Sequence, residues 1–191
     1  MGFGTSTRVV VGSAIAGGKA HSSIDLLDRL YSEHFSRVWR ILRRLGVPDA
    51  QLDDASQDVF MVVHRRLSEF DIRRNPRALL AAITLRVARN HRRTLLRKRD
   101  SEELSPALVD LAPDPSQRAA ASEAVRQVQT ILDSMEEQRR TVLVLADLEE
   151  MSGPEIAEAL AVKLNTVYSR LRVARSEFNA AALALQKEPD E

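Results

Sequence analysis

Between Arg99 and Asp100 the chain changes sign, and this boundary limits its possible folds more than any other feature. Residues 72–99 hold nine Arg and one Lys with no acid. Residues 100–116 hold five acids with no base, and Pro106, Pro113 and Pro115 interrupt them. Proline lacks an amide donor and clashes with the preceding helical turn, so the acidic stretch is not expected to be helical. An all-α chain of two small helical domains, 23–99 and 118–186, is therefore expected, joined by an acidic flexible linker over 100–117. Short tails, 1–22 and 187–191, flank them.

Apolar spacing supports helices on both sides. Ile24, Leu27, Tyr31, Phe35, Val38, Leu42 and Leu45 recur every three or four residues, which predicts an amphipathic helix. Gly46 and Pro48 stop it. A second helix is predicted from about Asp49 to Leu67, with Leu52, Ala55, Val59, Val62 and Val63 turned to the core. About 100° per residue places Asp54, Gln57, Met61, His64 and Arg65 opposite, with Asp58 at the flank. A third helix starts at Pro76, a residue suited to a first turn, and continues to about Lys98. Leu79, Leu80, Ile83 and Val87 face inward, whereas Arg86, Arg89, Arg93 and Arg97 share another face.

The tail before Ile24 carries Arg8 ahead of VVVGSAIAGG, with Ala14 and Ala16 in an A-x-A arrangement. A secretory leader has these parts, but this run is short and broken by Gly12, so a disordered tail is expected. No segment reaches the ~18 apolar residues of a membrane span.

Beyond the acidic stretch, helices are predicted over about Gln117–Leu132 and after Ser134-Met-Glu-Glu137, which has capping-box spacing. Val142, Leu143, Val144, Leu145 and Leu148 make the second apolar nearly all round. Ser152-Gly-Pro-Glu155 opens a short helix ending near Ala161. Ile156, Ala157, Leu160, Val162, Val167 and Leu171 then fall where a helix-turn-helix needs apolar residues. Ala161 occupies the turn position that favours glycine, at a cost on the order of 1 kcal/mol. Lys163 stands where a Ser cap is expected, so Asn165 is a candidate cap instead. The last helix puts Val167, Leu171, Ala174 and Phe178 on one side and Asn165, Ser169, Arg172 and Ser176 on the other. Thr166 and Tyr168 lie at the margins. From Ala159 to Ser176 the bases are Lys163, Arg170, Arg172 and Arg175, with no acid, an arrangement suited to phosphates.

Composition removes other chemistries. The 191 residues include no cysteine and only 7 glycines, so thiol nucleophiles, Cys-based zinc sites and glycine-rich phosphate loops lack material. The net charge of +1 conceals the segregation described above.

The chain resembles the extracytoplasmic-function (ECF) group of bacterial sigma factors. LDDASQDVFMVVHRRLSEFD (52–71) and RVARN (86–90) look like sigma region 2. EEQRRTVLVLADLEEMSGPEIAEAL with NTVYSRLRVARSEF looks like region 4. The likeness covers roughly residues 25–185. Departures are Ala161, Lys163 and PRALLAAI, where the family usually places an aromatic after the Arg.

The resemblance implies a cytoplasmic transcription initiation factor that binds core RNA polymerase and directs it to promoters. It implies no catalytic residue, no cofactor and no metal, because catalysis belongs to the polymerase. Region 2 would dock on the largest subunit's coiled coil through Asp54, Gln57, Asp58, Met61 and Arg65. Region 4 would rest on the second-largest subunit's flap, through the apolar helix at 139–148 if that helix is not plain core. Arg73, Arg74, Arg77, Arg86, Arg89, Asn90 and Arg93 would meet the minus-ten promoter element and help melt it, with the loop Phe70–Pro76 where the family captures a flipped base. Asn165, Thr166, Tyr168, Ser169, Arg170, Arg172 and Arg175 would meet the minus-thirty-five element. The acidic linker would thread a basic channel of the polymerase as an electrostatic mimic, and an anti-sigma factor is a further candidate partner. No aromatic lies between Asp71 and Arg99, so melting would not rest on base stacking there.

Two other readings stay open on the residues alone. A dimeric helix-turn-helix repressor would bind duplex DNA unaided, but leaves the 54–65 stripe and the 72–99 block without a role. A metal-dependent nuclease would need Asp53, Asp54, Asp58 and His64 as ligands, yet adjacent helical residues point about 100° apart and converge poorly.

Overall fold

The computed structural model describes residues 15–66, 75–101 and 117–187, with no side-chain description for 15–24, 96, 98–101, 117–122 and 186–187. Among the described residues it is all-helical: α1 Ile15–Arg44, α2 Leu52–Arg66, α3 Pro76–Ser101, α4 Gln117–Ser134, α5 Glu137–Leu143, α6 Gly153–Leu160 and α7 Leu164–Lys187. One 3-10 turn, Asp49–Gln51, leads into α2, and a π-helical turn, Val144–Leu148, extends α5.

The first three helices pack as one unit. Val38, Ile41 and Leu42 of α1, Leu52, Ala55, Val59 and Val63 of α2, and Leu80, Ala81 and Val87 of α3 are all buried. Full burial of such a side chain contributes about 1.5–3 kcal/mol. Gly46 ends α1 at φ +83°, while Val47 N–H reaches back to Leu42 O at 3.1 Å, the glycine-dependent helix stop. At the start of α3, Asn75 Oδ1 accepts from Ala78 N–H at 3.2 Å, so Asn75 caps the helix and Pro76 takes its first position.

The remaining helices form a second unit around Leu132, Val142, Val144, Leu145, Ile156, Val167 and Ala174. The two cores are continuous, because α3 packs on α6 and α1 on the π-helical turn.

Several expectations change. The tail was expected to run through about Ser22, but α1 already begins at Ile15. The third helix continues past Lys98 to Ser101, two residues into the stretch expected to be linker at its acidic start; residues 102–116 lie outside the described residues, as do 1–14 and 188–191. Tyr31, assigned to the core stripe of α1, is 48% exposed. Ser134 does not cap α5. Its hydroxyl donates back to Ile131 O at 2.7 Å, and Glu136 caps instead, accepting from the amides of Gln138 and Arg139. A carboxylate there also suits the positive end of the helix dipole.

Candidate nucleic-acid interface

Helix α6 opens with the expected reciprocal cap: Glu155 N–H donates to Ser152 Oγ at 3.4 Å and Ser152 N–H to Glu155 Oε2 at 2.8 Å. Burial favours the protonated Glu155 carboxyl, but the Ser152 amide and hydroxyl, with Arg77 and Arg37, outweigh it and hold its pKa below the usual value. The helix ends at Ala161, which takes the left-handed conformation (φ 52°, ψ 44°). Val162 N–H returns to Ala157 O at 3.0 Å, so the turn closes in glycine fashion without glycine. Lys163 O accepts from Thr166 and Val167, placing the start of α7 at Leu164. Asn165 is thus inside the first turn and is not its cap. A Cβ on Gly153 would lie 2.9 Å from Tyr168 Oη and 3.0 Å from Leu164 Cδ1, so a larger residue there would push these two exposed side chains aside.

With Val167, Leu171 and Ala174 buried, α7 turns Asn165, Tyr168, Ser169, Arg172 and Arg175 outward, all exposed, while Thr166 and Arg170 are half-buried at the edges. Arg175 is engaged: its guanidinium grips Asp147 at 2.9 and 2.6 Å, and this hydrogen bonding raises its pKa. On α3, Arg86, Arg89, Asn90 and Arg93 are exposed. Asn90 is therefore not a core amide. Arg73 and Arg74, and residues 70–74 of the preceding loop, lie outside the described residues.

The sequence matches the family model for sigma-70 region 2 over residues 30–99 and that for sigma-70 region 4 over 125–178. The chain belongs to the sigma-70 family. Similar proteins are sigma factors of its ECF group. The RNA polymerase sigma factor CnrH of Cupriavidus metallidurans is 27% identical over 185 residues, covering 91% of this chain and 92% of the relative. The ferric citrate uptake sigma factor FecI of Escherichia coli is 29% identical over 143 residues, covering 73% and 81%. CnrH in complex with the cytosolic domain of CnrY superposes with a TM-score of 0.68 at 26% identity, over 91% of this chain and 96% of that one. The sigma factor RpoE of Bartonella quintana, solved with the anti-sigma factor NepR, shares the fold (TM-score 0.62, 17% identity, 81% and 95% covered). This sigma factor is a transcription initiation factor that binds core RNA polymerase and directs it to promoters; it is not an enzyme.

The face of α2 predicted to dock on polymerase exists as one surface: Asp54, Gln57, Asp58, Met61 and Arg65 are all exposed. It continues into an aromatic patch that periodicity alone concealed. Tyr31, Phe35 and Phe60 cluster with centroids 5.0, 4.8 and 6.4 Å apart, Tyr31 tilted against both phenylalanines, and with Met61 they line a groove of about 650 Å³. Asp58 is tied to His91 Nε2 at 3.0 Å, linking this face to α3. The apolar helix at 139–148 is less available for the flap, since Val142, Val144 and Leu145 are fully buried.

Sequence reasoning also missed what covers the basic surface of region 2. The Glu149 carboxylate, at the end of the π-helical turn, is fully enclosed. Arg40 holds it with two hydrogen bonds, 3.1 and 3.0 Å. Arg44 donates to it at 2.6 Å and to Leu148 O at 3.1 Å. Arg37 lies 3.8 Å away. Glu150, itself left-handed at φ 53°, follows, and Arg77 donates to the carbonyls of both Glu149 and Glu150 at 3.1 and 3.3 Å. Burial lowers the pKa of Arg37 and Arg44, whereas the hydrogen bonds to Glu149 raise that of Arg40. Farther along α3, Arg89 meets Glu137 at 2.9 Å with Arg92 at 3.8 Å, and Asn75 Nδ2 donates to Glu158 Oε2 at 2.7 Å.

Proposed function

We propose that α7 is the reading helix for the minus-thirty-five element and that the exposed residues of α3 hold the minus-ten element. The outward face of α7 carries this reading, because a rigid helix-turn-helix presents Asn165, Tyr168, Ser169 and Arg172 together without a neighbouring acid over Ala159–Ser176. Arg172, central on that face, is geometrically suited to a bidentate pair with guanine, while Asn165, Thr166 and Ser169 sit near the helix start, where base edges are reached. Arg170 and Arg175 lie toward the sides and suit phosphates. On α3, Arg86, Arg89 and Arg93 suit phosphates and Asn90 a base edge, with Arg73, Arg74 and Arg77 extending the basic surface toward the loop.

Docking on the polymerase coiled coil belongs to Asp54, Gln57, Asp58, Met61 and Arg65, now extended by Tyr31 and Phe35. Charges set register there, and Met with aromatic faces supplies adaptable contact. We place the protein in the cytoplasm, where such a polymerase works; among the described residues no helix is long and apolar enough to cross a membrane. The structures of CnrH with CnrY and of RpoE with NepR make a protein of the anti-sigma kind a reasonable partner.

A promoter-variant library transcribed by reconstituted holoenzyme tests the α7 assignment. Arg172→Ala should relax preference at one base position, whereas Arg170→Ala should weaken all sequences alike. Uniform loss from both would reduce Arg172 to a phosphate clamp.

A further inference from the structure

Polar side chains make up most of the outward face of α7, but two large apolar ones stand at its edge. Leu164 and Tyr168 are 38% and 52% exposed and lie one turn apart. Neither joins the buried core or packs against it. A Cβ built on Gly153 would lie 3.0 Å from Tyr168 Cζ, besides meeting Tyr168 Oη and Leu164 Cδ1, so the ring and the leucine tip converge on bare backbone at the start of α6. Backbone on one side and Leu164 close by restrict the rotamers of the ring, which reduces the entropy lost when its free side meets a ligand. The adjacent polar group is partly committed: Ser169 Oγ–H donates to Thr166 O at 3.0 Å, which leaves that hydroxyl only its acceptor capacity.

We infer that Tyr168, seated on Gly153 and flanked by Leu164, reads a thymine of the minus-thirty-five element through its 5-methyl group. The inference rests on the assignment of α7 to that element and deepens it. Base edges in the major groove are polar except for the thymine methyl, so that group is what an apolar side chain can select there. A phosphate would engage only Tyr168 Oη and carry no sequence information, leaving the ring and Leu164 without a partner. Gly153 is then a positioning residue: it touches no base and acts by leaving room for the ring. Position along the groove follows from the helix. Tyr168 and Arg172 are four residues apart, a rise of about 6 Å, against about 3.4 Å per base pair of duplex. The methyl group therefore lies within about two base pairs of the guanine assigned to Arg172, and the element holds a T·A pair close to a G·C pair.

Uracil substitution tests this, because uracil pairs as thymine does and lacks only the methyl group. The promoter library described above supplies a well-transcribed minus-thirty-five sequence. Each of its thymines, on either strand, is replaced singly in a duplex template transcribed by holoenzyme reconstituted with the full chain. At one thymine, within about two base pairs of the guanine read by Arg172, uracil should lower transcript about fourfold, the value of one buried methyl-sized group. With Tyr168→Ala that difference should vanish. Tyr168→Phe keeps the ring and should keep the difference, while Gly153→Ala, which displaces the ring, should shrink it without changing the guanine preference. A scan in which no thymine responds overturns the inference, and if Tyr168→Phe then loses as much transcript as Tyr168→Ala, the side chain is a phosphate contact through Oη. A uracil response that persists in Tyr168→Ala overturns it as well. The underlying assignment fails separately: if Asn165→Ala with Arg172→Ala leaves the sequence preference of the element unchanged, α7 does not read it. If that double variant changes the preference while no thymine responds, the thymine contact alone is wrong.

Discussion

Helices α3 and α7 are both basic, both long and both assigned to promoter DNA, yet the rest of the chain treats them differently. The outward face of α7 is open, and one flanking side chain, Arg175, is held by Asp147. On α3, Arg77 and Arg89 pair with acids of the other domain, although Arg89 stays exposed like Arg86 and Arg93. The difference follows from local sequence: the helix-turn-helix segment excludes acids from Ala159 to Ser176, whereas α5, the π-helical turn and α6 concentrate them where α1 and α3 arrive. The two basic helices thus differ in how far the rest of the chain engages their cations.

The strongest disruption of this comparison removes the partner that would reconcile the two helices. Asp54→Lys with Met61→Lys should reduce binding to core polymerase by about a hundredfold or more, with helicity and melting unchanged; co-purification and circular dichroism measure it. If that double variant still assembles holoenzyme, the α2 face is solvated surface. Next in size is damage to α7 from within. Gly153→Val places a Cβ against the ends of the Tyr168 and Leu164 side chains and should destabilise the C-terminal unit by roughly 1 kcal/mol, the low end for overpacking, measured by chemical denaturation, with weaker DNA binding as Tyr168 is displaced from the reading face. Arg172→Ala should cost ~1–3 kcal/mol at a single base position, while Arg170→Ala should lower the slope of binding against salt by about one unit.

A smaller effect sharpens the α1–α3 side. Burial first, then Arg37, lowers the pKa of His34 from its ordinary 6.5, with Glu33 opposing and Arg77 adding to the decrease. The folded chain therefore keeps His34 neutral when the unfolded chain has begun to take up a proton. Its stabilising contribution is complete above about pH 6.5 and is lost as pH falls through the folded pKa. Melting temperature should decline over that window, and His34→Gln should flatten the decline.

Much of α7 was legible because its determinants are local. The capping box Ser152–Glu155, the left-handed Ala161 and the apolar spacing of Val167, Leu171 and Ala174 all lie within a few turns of one another. The start of α7 was read less well, since Lys163 provides only its carbonyl and a cap side chain was sought at Asn165. Tyr31 failed for a related reason: a 3.6-residue period gives the direction of a side chain, not whether a neighbouring helix extends far enough to cover it. The arginine cluster around Glu149 had no local signature at all. Arg40 and Glu149 are 109 residues apart in sequence, and an isolated Glu before a helix-turn-helix looks like any solvated acid. Arg73, Arg74 and residues 102–116 of the acidic linker lie outside the described residues.

Asn75 has two ends with separate duties: its oxygen starts α3 through Ala78, and its nitrogen reaches Glu158 in the other domain. Aspartate would preserve the first contact, being an equally good cap, and turn the second into carboxylate against carboxylate. Asn and Asp codons differ by one nucleotide transition. A lineage could therefore loosen the junction between the two units by a single inherited letter, with the core, the reading helix and the docking face all left as they are.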